Sequence, residues 1–115
     1  MESSYIYTID VAHPPLSAQA AEQILDDTLQ MIRMSPKYRV LKVIHGKGTI
    51  EKPGILKSVV QNWAYRNRQR FKAWIPGEQY SLFDPKTQEM RSICGQVKDR
   101  DLGASNTGIT VFWVR

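Results

Sequence analysis

The chain is poor in the residues that build metal centres and covalent frameworks. Its 115 residues include one cysteine, Cys94, and two histidines. A single thiol closes no internal disulfide, which excludes a cystine-stapled secreted scaffold and fits a reducing cytoplasm. One Cys and two His supply no dedicated zinc set. No cofactor motif is evident, and dependence on a divalent metal is left open. No apolar run approaches the ~20 residues of a membrane span. The start, MESSYIYTID, lacks the basic head and apolar middle of a signal peptide. These absences predict a cytoplasmic protein with no membrane contact. Acidic residues are scarce in one place above all. Residues 37–72 hold ten Lys and Arg against Glu51 alone, whereas 1–36 hold one base and five acids and 73–115 five of each. The net charge of +5 therefore originates in the central third. Such concentration predicts a polyanionic partner, DNA or RNA, while a basic face that docks an acidic protein, or is merely solvated, is the alternative.

What is present reads as alternating strands and helices in one domain, 1–115. Tyr5, Tyr7, Ile9 and Val11 alternate with Ile6, Thr8 and Asp10, a strand pattern stopped by His13-Pro14-Pro15. Ser17 is placed to cap a helix over 17–34 whose apolar face is Ala21, Ile24, Leu25, Thr28, Leu29 and Ile32. Glu22, Asp26 and Asp27 lie on its water side, and Pro36 ends it. Residues 39–44 read as a strand buried on both faces. Leu56, Val59, Val60 and Trp63 mark a second helix from Gly54 to about Asn67. RFKAWI at 70–75 and ITVFWVR from Ile109 complete the strands. The segment 76–108 between them is too long for a plain connection. It reads either as a hairpin or as a short helix capped by Asp84 with Pro85 as its first residue. Lys98 to Thr107 within it reads as a mobile polar loop. The predicted fold is an α/β two-layer sandwich, βαβαββ-like, with a mixed four-stranded sheet and two helices.

The stretch that organises this pattern is RVLKVIHGKGTIEKPGILKSVVQNW, 39–63. A strand runs into a glycine-containing loop and a helix follows, which is the physical recipe for an anion site. If the first two strands are parallel neighbours, Asp10, His13, His45 and Lys47 gather at one sheet edge, where open α/β sheets bind ligands. His45 is the candidate general acid/base, with Asp10 as its orienting carboxylate. Lys47 and the backbone of Gly46 and Gly48 form the candidate phosphate cradle. Lys52, Lys57 and Arg66 are candidate backbone contacts. His13 is a further candidate, displaced by one step from the strand register but followed by prolines that release it from the strand. Trp74 alternates away from Phe71, Ala73 and Ile75; it either stacks on bases or packs under the 76–108 excursion.

The string Ile44-HGKG, followed by Gly54, Leu56-Lys57, Val60 and Trp63, resembles the Smr (small MutS-related) domain. Ile9-Asp10-Val11 stands where that family has Leu-Asp-Leu-His, and Ser105 to Val111 aligns with its glycine-rich loop and last strand. The resemblance spans nearly the whole chain apart from 76–104. It implies a fold similar to the C-terminal domain of bacterial translation initiation factor three. It also implies nucleic-acid binding and, in several relatives, nicking endonuclease activity on DNA or RNA. Two departures bear on this. Ala12 occupies the position of the motif histidine, with His13 one step later, and Ser105-Asn106 replace paired glycines. Both weaken catalysis more than binding, so a non-catalytic nucleic-acid-binding module is the alternative to a nicking enzyme.

Overall fold

The computed structural model describes residues 4–48 and 54–115. Strand β1 is Ile6–Asp10 and β2 is Val40–Ile44. They pair in parallel, Ile6 opposite Val40 and Asp10 opposite Ile44. A parallel pair needs a long crossover, and helix α1, Ala18–Met34, supplies it. The Ser17 hydroxyl oxygen accepts the Ala20 N–H at 3.1 Å, capping α1 as the sequence predicts. Helix α2, Ile55–Arg66, buries Leu56, Val60, Trp63 and Ala64. Strand β3 is Ala73–Pro76 and β4 is Ile109–Trp113. β4 lies antiparallel between β2 and β3, giving the order β1-β2-β4-β3. This is the mixed four-stranded sheet of the predicted α/β sandwich.

Leu41, Val43 and Phe112 face α1 and α2 across one core. There Trp63, Phe71 and Phe112 meet ring to ring, and the Trp63 indole N–H donates to Asp26 at 2.8 Å. Asp26 stays exposed on the water side, as predicted, and from there satisfies a buried donor that requires a partner. Trp74 pairs with Phe112 and packs, partly buried, against this same core. Its alternation does not mean exposure, because both faces of the sheet are covered. The predicted strand at 70–75 starts later than expected. Arg68–Arg70 continue the helix end as a 3-10 turn, with Asn67 bonded back to Trp63 and Ala64.

The second face carries Val40, Ile75, Ile109, Val111 and Trp113, covered by Tyr80 and Met90. Met90 belongs to a third helix, α3, Pro85–Cys94, so the two-helix count is corrected. Of the two readings of 76–108, the capped helix is realised. The Asp84 carboxylate accepts from both the N–H and the hydroxyl of Thr87, at 2.9 and 2.8 Å, and Pro85 needs no N–H partner there.

The polar segment after α3 is tied down rather than loose. Lys42, on the second face of the central strand, reaches Asp99 at 2.6 Å and Asp101 at 2.9 Å. Tyr80 donates to the other oxygen of Asp99 at 2.9 Å, and Asn106 donates to Asp101 at 3.2 Å. Lys42 therefore leaves the basic surface to which its charge was assigned. Gly77, just after β3, marks where this segment closes on the sheet. A Cβ there would lie 1.9 Å from the carbonyl oxygen of Asn106. Gly77→Ala should lower unfolding free energy by about 2–3 kcal/mol, the upper part of the overpacking range, read as a shift in urea midpoint.

Candidate nucleic-acid interface

With Asp10 opposite Ile44, β1 and β2 end at the same edge of the sheet. His45, Gly46, Lys47 and Gly48 leave from that edge. Gly46 and Gly48 have φ of 78° and 74°, a left-handed conformation that suits glycine. The N–H groups of His45 and Gly46 both donate to the Gly108 carbonyl, each at 3.0 Å. The Gly46 N–H, expected in a phosphate cradle, is engaged by the strand-like contact that runs on past the Ile44–Ile109 pair.

His45 is 2% exposed. Its Nδ1 lies 2.9 Å from the Gly46 carbonyl and its Nε2 lies 2.8 Å from Thr110 Oγ1. The carbonyl only accepts, so Nδ1 carries the proton and Nε2 accepts from the Thr110 hydroxyl. Side chains alternate along a strand, so His45 falls on the side of Val43, whose cross-strand partner is Thr110. Burial pushes the imidazole pKa below its ordinary value. The Gly46 bond opposes that shift and the Lys57 ammonium reinforces it. Asp10 is not among the partners of His45. The predicted Asp10–His45 pair is corrected, because the buried ring bonds Gly46 and Thr110 while Asp10 bonds Ala12 and His13.

A sign follows for stability. A His that is harder to protonate folded than unfolded contributes stability fully above its unfolded pKa, and loses it as pH falls. Wild-type stability should therefore decline on acidification below about pH 6.5, the ordinary value. His45→Gln should remove that part of the decline, measured as urea midpoints between pH 8 and 5.

Asp10 instead holds His13. Its Oδ1 accepts the N–H groups of Ala12 at 2.8 Å and His13 at 3.0 Å. These bonds curl the chain back immediately after the strand. His13 Nδ1 then lies 3.0 Å from Asp10 Oδ2 and 3.2 Å from Oδ1. Past this turn the strand alternation no longer fixes the direction of the His13 side chain. The His13 side chain is 69% exposed, so its Nε2 edge is open to a ligand. Desolvation acts upward on the Asp10 carboxyl, but the bonds from Ala12 and His13 prevail and hold its pKa below the ordinary value.

His13 borders a groove of about 320 Å³ together with Gly46, Lys47, Arg100, Asp101 and Asn106. Ile44, Gly108 and Ile109 complete the lining, and His45 does not contribute. The structure thus joins His13, Gly46 and Lys47 of the predicted set, with Asp10 behind His13. Lys57 lies in the first turn of α2, close enough to bear on His45. A Cβ at Gly54, which precedes α2, would sit 3.3 Å from the Lys47 carbonyl, so the helix start abuts the loop. Arg66 is set apart. It lies nine residues beyond Lys57, about 13 Å along the helix axis at 1.5 Å per residue, and it is paired with Glu22 of α1. Lys52, and the neighbouring Glu51, lie outside the described residues. Sequence reasoning missed Arg100, Asn106 and Thr110. Thr110 was legible only as a strand residue, and Arg100 only as one of five bases balanced by five acids.

Among the described residues, no three His, Cys, Asp or Glu lie grouped to hold a metal ion, and no helix is long and apolar enough to cross a membrane. No curated protein and no solved structure matches the chain significantly. The family model of the Smr domain matches residues 14–80, more than half of the chain and including the whole His-Gly-Lys-Gly loop. Asp10, His13 and everything after Tyr80 flank that match. With its glycine loop set at the end of a parallel strand pair, the chain belongs to the Smr domain family, a nucleic-acid-binding and nuclease-like family.

Proposed function

We propose that the chain binds the phosphate backbone of DNA or RNA at the groove beside the His-Gly-Lys-Gly loop and nicks it there. The observation that carries this reading is the Asp10–His13 pair on the same groove as Gly46 and Lys47. Asp10 fixes the ring with Nδ1 protonated, leaving Nε2 to exchange a proton with the attacking or leaving oxygen of a phosphodiester. Lys47 supplies positive charge where the phosphorus accumulates negative charge. Lys57, at the start of α2, extends the positive field along the strand of nucleic acid without reading its sequence, and Lys52 is proposed as a further backbone contact. His45 has a structural part in this reading. Bonded at both nitrogens, it pins the loop to β4 and keeps the groove in shape. Arg66, paired across α1 and α2, serves the helix packing.

The catalytic half and the binding half separate experimentally. The purified chain, with single-stranded DNA, duplex DNA and RNA of matched length, should retard all or some of them at low salt. Affinity should fall steeply as salt rises. Nicks should accumulate on the substrate that binds best, and parallel reactions with a chelator decide the metal question. Binding without nicking would select the non-catalytic module that Ala12 favours. No binding to any of the three would remove the reading and leave a protein-docking basic face.

A further inference from the structure

The C-terminal excursion brings a charge to the groove that the family match does not reach. Arg100 lines the same cavity as His13 and Lys47. It stands between Asp99 and Asp101, both held inward by the Lys42 ammonium at 2.6 and 2.9 Å. The Asp99 side chain is 5% exposed and the Lys42 side chain 9%, so this clamp is shielded from solvent. The turn is fixed further by the Asp101 N–H on Asp99 Oδ1 at 3.0 Å and the Gly103 N–H on the Tyr80 carbonyl at 2.9 Å. With its two neighbours drawn onto Lys42, Arg100 remains exposed on the groove wall. Among the described residues its guanidinium has no carboxylate partner within ion-pair distance. The nearby carboxylate of Asp101 is already matched by Lys42 and Asn106. A buried ion cluster at mid-strand is an expensive way to stabilise a sheet. Its visible result is a fixed turn from which the Arg100 side chain reaches the groove.

We infer that Arg100 is a second phosphate-binding residue of this groove, beside Lys47 in its lining, and that Lys42 with Asp99 and Asp101 is the device that positions the turn carrying it. This rests on the proposed nucleic-acid reading and deepens it. A planar guanidinium pairs two phosphate oxygens at once, whereas Lys47 contributes a point charge. The ligand is a phosphodiester of single- or double-stranded nucleic acid, held between the two side chains beside His13.

The test is fluorescence anisotropy with an end-labelled oligonucleotide over a series of salt concentrations. It uses the full chain, Arg100→Ala, Arg100→Lys, and Lys86→Ala as a charge-matched control at an exposed position of α3. Arg100→Ala should weaken binding by about tenfold and reduce the slope of log K against log salt by about 0.7–0.9, one phosphate contact. Arg100→Lys should recover the slope and only part of the affinity, because the charge returns without the fork. Lys86→Ala should change both far less. Arg100→Ala indistinguishable from the unmodified chain, or no weaker than Lys86→Ala, would overturn the inference while leaving the nucleic-acid reading in place. No binding by the unmodified chain would overturn both.

Discussion

His13→Ala should lower the nicking rate by about 10²–10⁴-fold, the usual contribution of a positioned acid or base, while the folded structure and nucleic-acid affinity stay close to those of the unmodified chain. The side chain is exposed and supports no core. The turn that carries it is held through backbone N–H groups of residues 12 and 13, which alanine retains. Lys47 remains on the groove. The loss should therefore fall on kcat rather than on binding. Asp10→Asn should give a smaller loss, because an amide oxygen still accepts the two backbone bonds but the negative charge facing Nδ1 is gone. His45→Gln makes the contrast. It removes a buried ring bonded to Gly46 and Thr110, so it should lower stability while the folded fraction still nicks. Single-turnover rates of the three variants, each normalised to folded protein by circular dichroism, check the ranking.

Lys42→Met should lower unfolding free energy by about 3–5 kcal/mol, the range for breaking a buried ion pair by removing one partner. Methionine fills the space but leaves Asp99 and Asp101 shielded and without their cation; Tyr80 and Asn106 each offset only part of one carboxylate. Replacing the acids as well, as in Lys42→Met with Asp99→Leu and Asp101→Asn, should recover much of the loss, since an uncharged cluster needs no partner. The acid limb gives a second check. Desolvation acts upward on Asp101, but Lys42 and Asn106 together draw its pKa below the ordinary 3.8. A carboxyl depressed in this way adds stability above its unfolded pKa and loses it as pH falls through the folded value. Wild type should weaken below about pH 4, and Lys42→Met should show a shallower decline. Urea titrations at pH 7 and across pH 2–5 measure both.

Much of the fold was legible because it rests on patterns with one physical meaning. The stripe at Leu56, Val60 and Trp63 could only be a buried helix face, and the aliphatic run at 40–44 only an inner strand. Where two elements shared a pattern, sequence alone stopped. Asp84-Pro85 served equally as a turn or a helix start, and the choice came from the sheet face that Met90 covers. Alternation left Trp74 open between stacking on bases and packing, because it separates inside from outside only when one face of a sheet is bare. The candidate site was legible as a location but not as a set of contacts. The parallel pair brought Asp10, His13 and the loop to one edge, and that followed from topology. Which histidine lines the groove did not, because it turned on two hydrogen bonds at Ala12 and His13 that curl the chain back. The charge count erred for a related reason. Counting Lys42 among surface bases, and treating 73–115 as neutral, hid an internal clamp and the arginine that it presents.

The chain has only two histidines, so its imidazole carbon–proton resonances form two resolved sets that single His13→Ala and His45→Gln variants assign. Titrating the labelled protein with a short single-stranded oligonucleotide while recording these signals addresses the site directly. The account predicts that the His13 ring resonances move with saturation at stoichiometric oligonucleotide and that those of His45 hold their positions. Movement of the His45 ring with a stationary His13 would contradict it and return the chemistry to the buried histidine.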